Sequence, residues 1–192
     1  TTPLNVSGGK AVIDQADATS GKQDNNRLLS ETFDPAVDTT SKIYGSFSVN
    51  FSALPTESTI GSYFAHLKSS AANEFYARIG ANTEGAAAGS FRLAVTNEAW
   101  SAVATIEYPQ DLALNTDYLV VFRFDLATDQ TTLWVNPVDE SSPSVTATDV
   151  PVFAAGSIEA YALRQGTSGT PAGGPGTLTL DGLRVATSFA EA

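Results

Sequence analysis

The chain of 192 residues contains no cysteine and no methionine, and it has a single histidine, His66. Without cysteine there is no disulfide, no thiolate metal site and no cysteine nucleophile. One histidine leaves too few ligands for a structural zinc ion. Serine catalysis would have one candidate base and no Gly-x-Ser-x-Gly turn to hold the nucleophile. These absences remove several common classes of site.

Positive charge is also scarce, because 10 lysine and arginine residues stand against 21 aspartate and glutamate residues and leave a net charge of −11. An acidic surface repels nucleic acid and anionic membranes, so neither is an expected partner. No apolar run approaches the roughly 18–20 residues of a membrane helix, so membrane insertion is not expected. Position 1 is threonine rather than methionine, and we expect a processed or trimmed chain.

The dominant pattern is an alternation of apolar and polar residues. In residues 43–51, Ile43, Phe47, Val49 and Phe51 share one face, as in a strand with one buried side. The pattern recurs between glycine- and proline-containing turns at residues 60–68, 75–81, 91–97, 118–125, 131–136, 158–165 and 177–186, and more weakly at 10–14, 103–107 and 145–148. No segment keeps a helical period. The sequence therefore predicts an all-β fold, a two-sheet antiparallel β-sandwich of the concanavalin A-like jelly-roll type, with residues 1–192 forming one domain.

Two segments lack this alternation and are predicted to be loops: residues 14–26, which are polar, and residues 165–176, which are rich in glycine, threonine, serine and proline. Residues 31–39 have room for one short turn. The segment of residues 165–176 has a composition that is also typical of a linker between domains. A strand-like segment follows it and is needed to close a sheet, so we favour a loop between two strands.

Three parts of the sequence carry a resemblance to a known family. They are residues 62–67 (SYFAHL), residues 118–125 (YLVVFRFD) with 132–137 (TLWVNP), and residues 177–189 (TLTLDGLRVATSF). Together they resemble the laminin-G-like, concanavalin A-like jelly-roll domains of exported bacterial proteins, from about Val6 to Ala190. The chain departs from that pattern at Gly182, where the family has asparagine, and at Phe189, where it has tryptophan. The resemblance implies a two-sheet sandwich and a secreted or cell-surface location, and it supplies no catalytic residues.

An enzyme of this shape would be expected to be a glycoside hydrolase, which needs two carboxylates facing one another across the scissile bond. The nearest acidic pairs, Glu31 with Asp34 and Asp139 with Glu140, lie in turn-like sequence, where acidic residues are usually solvated. A polysaccharide lyase would need a cluster of tyrosine, histidine and arginine, for which His66, Tyr76 and Arg78 are the candidates; we favour binding over catalysis for these residues. We therefore expect a non-catalytic module.

The polar faces of the predicted strands carry most of the residues with recognisable binding chemistry. If these strands share one sheet, its outer face presents a set of candidate ligand-binding residues: His66, Tyr76, Arg78, Arg92, Arg123 and Trp134. Guanidinium groups offer a planar fork of donors, and aromatic rings stack on sugar faces. The sequence thus favours an extracellular, lectin-like module whose partner is a polysaccharide or a cell-surface glycan.

Two alternatives stay open. The arginines could instead pair with acidic residues and cover the sheet with their stems, which would leave a structural or protein-interaction domain at the cell surface with no small ligand. Acidic and amide residues near strand ends could hold a structural calcium ion, or they could simply form Asx turns. These residues are Asp125 with Asp129, Asn136 with Asp139, and Asp14, Asp17 and Asp24.

Overall fold

The computed structural model describes residues 3–14, 24–55, 62–70, 74–97, 105–149, 157–165 and 174–192. Within these ranges the chain forms fourteen strands and ends in one short 3-10 helix, Phe189–Glu191. The strands are β1 (Asn5–Ser7), β2 (Lys10–Asp14), β3 (Asn25–Phe33), β4 (Lys42–Ala53), β5 (Ser62–Ser69), β6 (Phe75–Asn82), β7 (Ser90–Thr96), β8 (Ile106–Glu107), β9 (Leu112–Ala113), β10 (Asp117–Asp125), β11 (Gln130–Val135), β12 (Ser144–Ala147), β13 (Ile158–Leu163) and β14 (Thr177–Ala186).

The strands form two antiparallel sheets of seven strands each. The first sheet has the order β1-β2-β14-β4-β10-β11-β12. The second has the order β3-β13-β5-β6-β7-β8, and β9 pairs with β7 beside it. The predicted fold class, a two-sheet antiparallel β-sandwich, is confirmed.

The core lies between the two sheets and is rich in aromatic rings. On β4 the predicted inward set of Ile43, Phe47, Val49 and Phe51 is buried, as alternation requires. Rings from the first sheet meet rings from the second in three close pairs: Phe51 with Phe91 at 4.3 Å, Phe122 with Tyr161 at 5.4 Å, and Tyr76 with Phe124 at 5.8 Å between ring centroids. Aromatic pairs in such geometries add to the gain from apolar burial, so these contacts hold the sheets together.

The predicted loops are only partly described. β3 begins at Asn25, within the range of the first predicted loop, and its side chains are mostly exposed, so the strand lacks the alternation that would have identified it. A short turn follows, in which the backbone N–H groups of Val37 and Asp38 donate to the carbonyl of Asp34. Residues 166–173 of the glycine-rich segment lie outside the described residues. β14 follows that segment and pairs with both β2 and β4, so the segment joins two strands of the sandwich.

Candidate functional site

The six predicted binding residues are divided between the two sheets. Arg123 on β10 and Trp134 on β11 belong to the first sheet, whereas His66 on β5, Arg78 on β6 and Arg92 on β7 belong to the second. The prediction that these residues share one face is therefore wrong. Alternation within a strand shows which side chains point away from the core, but it does not show in which sheet the strand lies.

The two residues on the first sheet are engaged by neighbouring side chains. Arg123 donates to the Glu140 carboxylate at 2.7 Å, and the hydroxyl of Tyr44 donates to the same carboxylate oxygen at 2.8 Å. Trp134 is 2% exposed because the Phe189 ring packs edge-on against it, 5.5 Å between centroids. The arrangement is the internally paired one that sequence analysis kept as an alternative. It leaves Trp134 no open face for stacking on a sugar.

Two residues of the second sheet also have structural partners. Tyr76 was predicted to point outward, but it is fully buried and its ring stacks on Phe124. Arg92 does lie on the outer face, where it forms ion pairs with Asp111 at 2.8 Å and with Glu107 at 3.5 Å. Arg92 is therefore held at one end of the sheet by two carboxylates.

The bulged pairing of β5 and β6 explains why Tyr76 points inward. Ala77 has a backbone φ of 49°, and the register of β5 against β6 shifts between Tyr63, Ala65 and Leu67. A bulge adds one residue to one strand and reverses the alternation beyond it. As a result Phe75 and Arg78 share the outer face although they are three residues apart.

His66 and Arg78 lie together with three residues that sequence analysis did not nominate. We call Tyr63, His66, Lys68, Arg78 and Arg164 the basic cluster. The Arg78 guanidinium lies 5.0 Å from the centre of the Tyr63 ring, and that of Arg164 lies 4.5 Å from the same centre. The His66 ring meets the Tyr63 ring edge-on at 5.5 Å.

Of the residues that join His66 and Arg78 in the basic cluster, Arg164 could have been identified from the sequence and Tyr63 could not. Simple alternation from the buried Leu67 places Tyr63 on the inward face, and the irregular pairing of β5 that turns it outward has no signal in the sequence. Arg164 follows the buried residue Tyr161 by three positions and stands just beyond β13, so simple alternation from Tyr161 places it outward. Its backbone N–H donates to the Phe64 carbonyl at 2.8 Å, which fixes it beside β5.

Small residues surround the basic cluster along the sheet. Ala162 on β13 is the register partner of His66, and Gly80 on β6 is the partner of Tyr63. Next to Gly80, on β7, lies Ala94. Because these positions carry at most a methyl group, a ligand beside Tyr63 can approach the backbone of the sheet closely.

The environment of His66 keeps its imidazole neutral. Burial lowers the pKa of His66 to about 3, and the positive charges of Arg78, Arg164 and Lys68 add to that effect. The imidazole is 2% exposed, and its Nδ1 has no hydrogen-bond partner among the described residues. Buried polar atoms are normally bonded, so an atom of this kind in a charged cluster indicates a place where a ligand or water completes the bonding.

A pH-dependent loss of stability is expected from His66. The unfolded imidazole takes up a proton below pH 6.5 and the folded one only near pH 3, so the free energy of unfolding falls as pH drops between these values. The free energy of unfolding changes by at most about 1.4 kcal/mol per pH unit, and its total loss between pH 7 and 4.5 is roughly 2–3 kcal/mol. Urea unfolding at several pH values measures it in wild type and His66→Gln. As His66 is the chain's one histidine, the difference between the two curves isolates this group. Parallel curves over this range would contradict the assignment.

The structure does not bring the predicted calcium ligands together. Among the described residues, no three histidine, aspartate or glutamate side chains are placed to share an ion. Burial and the neighbouring charge of Asp125 raise the pKa of Asp129, while Asp139 accepts hydrogen bonds from Ser141 as in an Asx turn. Asp17 lies outside the described residues, and the calcium site remains a prediction.

Comparison with known proteins identifies the fold and no family. No family model matches the sequence, and no curated protein matches it. Solved structures with the same fold include an alginate lyase from Klebsiella pneumoniae (TM-score 0.53, 11% identity, 98% of this chain and 85% of that one). They also include alginate lyase A1-II′ (0.55, 10%, 94% and 80%) and an alginate lyase from Alteromonas sp. 272 (0.53, 7%, 92% and 86%).

These similarities define the class of the protein as a concanavalin A-like β-sandwich, in agreement with the coarser part of the sequence resemblance. No match at the level of a laminin-G family accompanies it. The expectation of a non-catalytic module is contradicted, because the structures that share this fold include alginate lyases. The absence of paired carboxylates argues against a hydrolase and has no bearing on a lyase. No helix within the described ranges is long and apolar enough to span a membrane.

Proposed function

We propose that the outer face of the second sheet binds an acidic polysaccharide at the basic cluster and cleaves it by β-elimination at a uronate residue. The observation that carries the proposal is the concentration of Lys68, Arg78 and Arg164 around one buried imidazole, in a chain with a net charge of −11. Lys68 also lies 3.9 Å from the Glu159 carboxylate, so one of the three cations is shared with an acidic neighbour. Three cations around one imidazole still attract an anionic ligand to this place on an acidic protein.

Carboxylate binding is the first role of the cluster. A guanidinium offers two parallel donors that match the two oxygens of a carboxylate. Arg78 and Arg164 lie over the same Tyr63 ring, so a uronate carboxylate beside that ring is within the field of both. The neutral His66 can donate a hydrogen bond to the carboxylate without adding a charge that repels Arg78 and Arg164.

Proton transfer is the second role. When cations neutralise a uronate carboxylate, the hydrogen on C5 becomes more acidic and a positioned side chain can remove it. The electron pair of that C–H bond forms the C4–C5 double bond, the bond from C4 to the glycosidic oxygen breaks, and the oxygen takes a proton. Tyr63, which is half-buried and adjoins both guanidinium groups, is assigned both transfers: its hydroxyl gives its proton to the departing oxygen and takes up the proton from C5, so it ends the reaction protonated as it began.

The fold shared with several alginate lyases supports this reaction, since alginate is a polymer of uronates. Polymers of this kind occur outside cells, so we also propose that the protein works in a secreted or cell-surface location.

The direct experiment is incubation of the protein with poly-mannuronate, poly-guluronate and polygalacturonate, with dextran as a neutral control. Elimination creates a double bond conjugated to the carboxylate, so we expect ultraviolet absorbance to rise with at least one uronate polymer and not with dextran. Tyr63→Phe should abolish the rise and leave binding of the same polymer intact. Binding with no absorbance change would contradict the proposed lyase reaction and support the proposed recognition of acidic polysaccharide. Failure to bind any of the three uronate polymers would overturn both.

A further inference from the structure

A cavity separate from the basic cluster lies between β3 of the second sheet and the end of β14 of the first sheet. It has a volume of about 510 Å³ and is bounded by β3, by Tyr161 of β13, and by the last part of β14 with the residues after it. Cavities of this size are typical of small-molecule sites. None of its lining residues belongs to the basic cluster.

The cavity exists because both walls depart from regular pairing. On β3, Phe33 pairs with Ile158 and Leu28 pairs with Ala160, so four residues of β3 stand opposite one residue of β13. This bulge bends β3 away from the sheet. On the other wall, β2 pairs with β14 only as far as Leu180, beyond which β14 is uncovered on that side.

The cavity has an apolar part and a polar part, and charged and hydroxyl side chains of β3 and of the C-terminal residues supply the polar part. Leu29, Phe33 and Val185 line its inner part, and Leu28 and Leu183 stand at its mouth. Leu28 is 65% exposed and Leu183 is 40% exposed. Large apolar side chains left in water around a concave surface mark a place where another molecule binds.

One polar group lies within the apolar part without a partner. Tyr161 is 2% exposed, and its hydroxyl has no hydrogen bond among the described residues. Burial raises the pKa of this phenol well above its usual value, so it stays protonated and can donate. The ring is fixed by its stack on Phe122, so the donor cannot turn away. A buried unpaired hydroxyl is costly, and a ligand that accepts its hydrogen bond removes that cost.

The charges around the cavity select against acidic ligands. Its charged lining residues are Arg27, Glu31 and Glu191, one positive and two negative. We propose that this cavity binds a small, uncharged molecule with an apolar body and one acceptor oxygen, which accepts a hydrogen bond from the Tyr161 hydroxyl. A molecule of this kind differs in chemistry from the acidic polysaccharide assigned to the basic cluster, and the two proposals are independent.

The test compares two probes of one shape, 4-phenylcyclohexanone and phenylcyclohexane, which differ in a single carbonyl oxygen. We expect both to shift backbone amide NMR signals of β3 and β14, with the ketone binding more tightly. Tyr161→Phe should weaken ketone binding by about 3–10-fold and leave the hydrocarbon unchanged, as expected for the loss of one hydrogen bond. Leu183→Trp should block both probes. The matched control, Leu119→Trp, replaces a leucine of similar exposure (43%) on the outer face of the first sheet and should change neither affinity.

Three results would each overturn the proposal. The first is that neither probe binds the wild-type protein. The second is that the ketone and the hydrocarbon bind equally well, which would mean that water satisfies the hydroxyl and no ligand acceptor is recognised. The third is that Leu183→Trp leaves both affinities unchanged, because binding would then be elsewhere.

Discussion

Arg78→Ala should reduce the affinity for a bound uronate polymer by about 100-fold, which corresponds to a loss of roughly 2–3 kcal/mol. Arg78 approaches both Tyr63 and Phe75, with its guanidinium carbon 5.0 Å and 5.5 Å from the two ring centres. These aromatic faces limit the water around the guanidinium, and an ion pair is stronger where water is limited. Isothermal titration calorimetry with the polymer that gives the strongest response measures the loss.

Matched variants separate this effect from a general change of charge. Arg184→Ala removes one positive charge at an exposed position of β14 and should leave affinity unchanged. Arg123→Ala should also leave affinity unchanged, although it breaks the ion pair with Glu140, because β10 lies in the other sheet. Arg78→Lys should fall between wild type and Arg78→Ala, since it keeps the charge and loses the planar fork. An equal loss in Arg78→Ala and Arg184→Ala would show that only net charge matters.

Features of the fold that depend on neighbouring residues could be predicted from the sequence, whereas features that depend on contacts between distant segments could not. Alternation is local, and it correctly assigned the buried face of β4 and the all-β class, although it missed β3. The order of strands depends on pairing between distant segments, such as β4 with β10 and β14. Nothing local distinguishes a strand of the first sheet from one of the second, and the face proposed from Arg78 and Arg123 failed for that reason.

The candidate site was predictable only in part. His66 and Arg78 were nominated as outward residues and both belong to the basic cluster, although the pairing of β5 with β6 is irregular beside each of them. Tyr76 was assigned to the wrong side because the bulge at Ala77 has no signature in its sequence. Arg92 and Arg123 do point outward, but their acidic partners lie on other elements, 15 to 19 residues away. Such pairings become visible only in three dimensions.

The segments that carry the family resemblance lie mostly away from the candidate site. Residues 118–125 and 132–137 form β10 and β11, and residues 177–189 include β14, all in the first sheet. Only residues 62–67 belong to β5 and contribute to the basic cluster. The similar segments therefore lie mainly in the first sheet, while the basic cluster lies in the second.

Gly45→Ala should lower the free energy of unfolding by about 3 kcal/mol, because it adds a methyl group where the core has no room for one. Gly45 on β4 faces inward and is the register partner of Phe122 on β10, whose ring lies directly over its Cα. A methyl group at Gly45 would overlap that ring. The ring is fully buried and stacked on Tyr161 at 5.4 Å, so it has no free space into which to move.

A double-mutant cycle tests the mechanism of this loss. Phe122→Leu alone leaves a cavity and should lower the free energy of unfolding by about 1 kcal/mol or more. Combined with Gly45→Ala, it provides room for the new methyl group. The loss in the double variant should therefore be smaller than the sum of the two single losses. Ser48→Ala, on the outward face of the same strand, is the control and should remain within about 0.5 kcal/mol of wild type. Urea unfolding followed by circular dichroism measures all four. Additive losses would mean that the overlap with Phe122 is not the cause.

Phe122 also fixes the ring of Tyr161, so the close contact at Gly45 helps to position the Tyr161 hydroxyl in the cavity between β3 and β14. Gly45→Ala should therefore weaken ketone binding in that cavity in addition to lowering the free energy of unfolding.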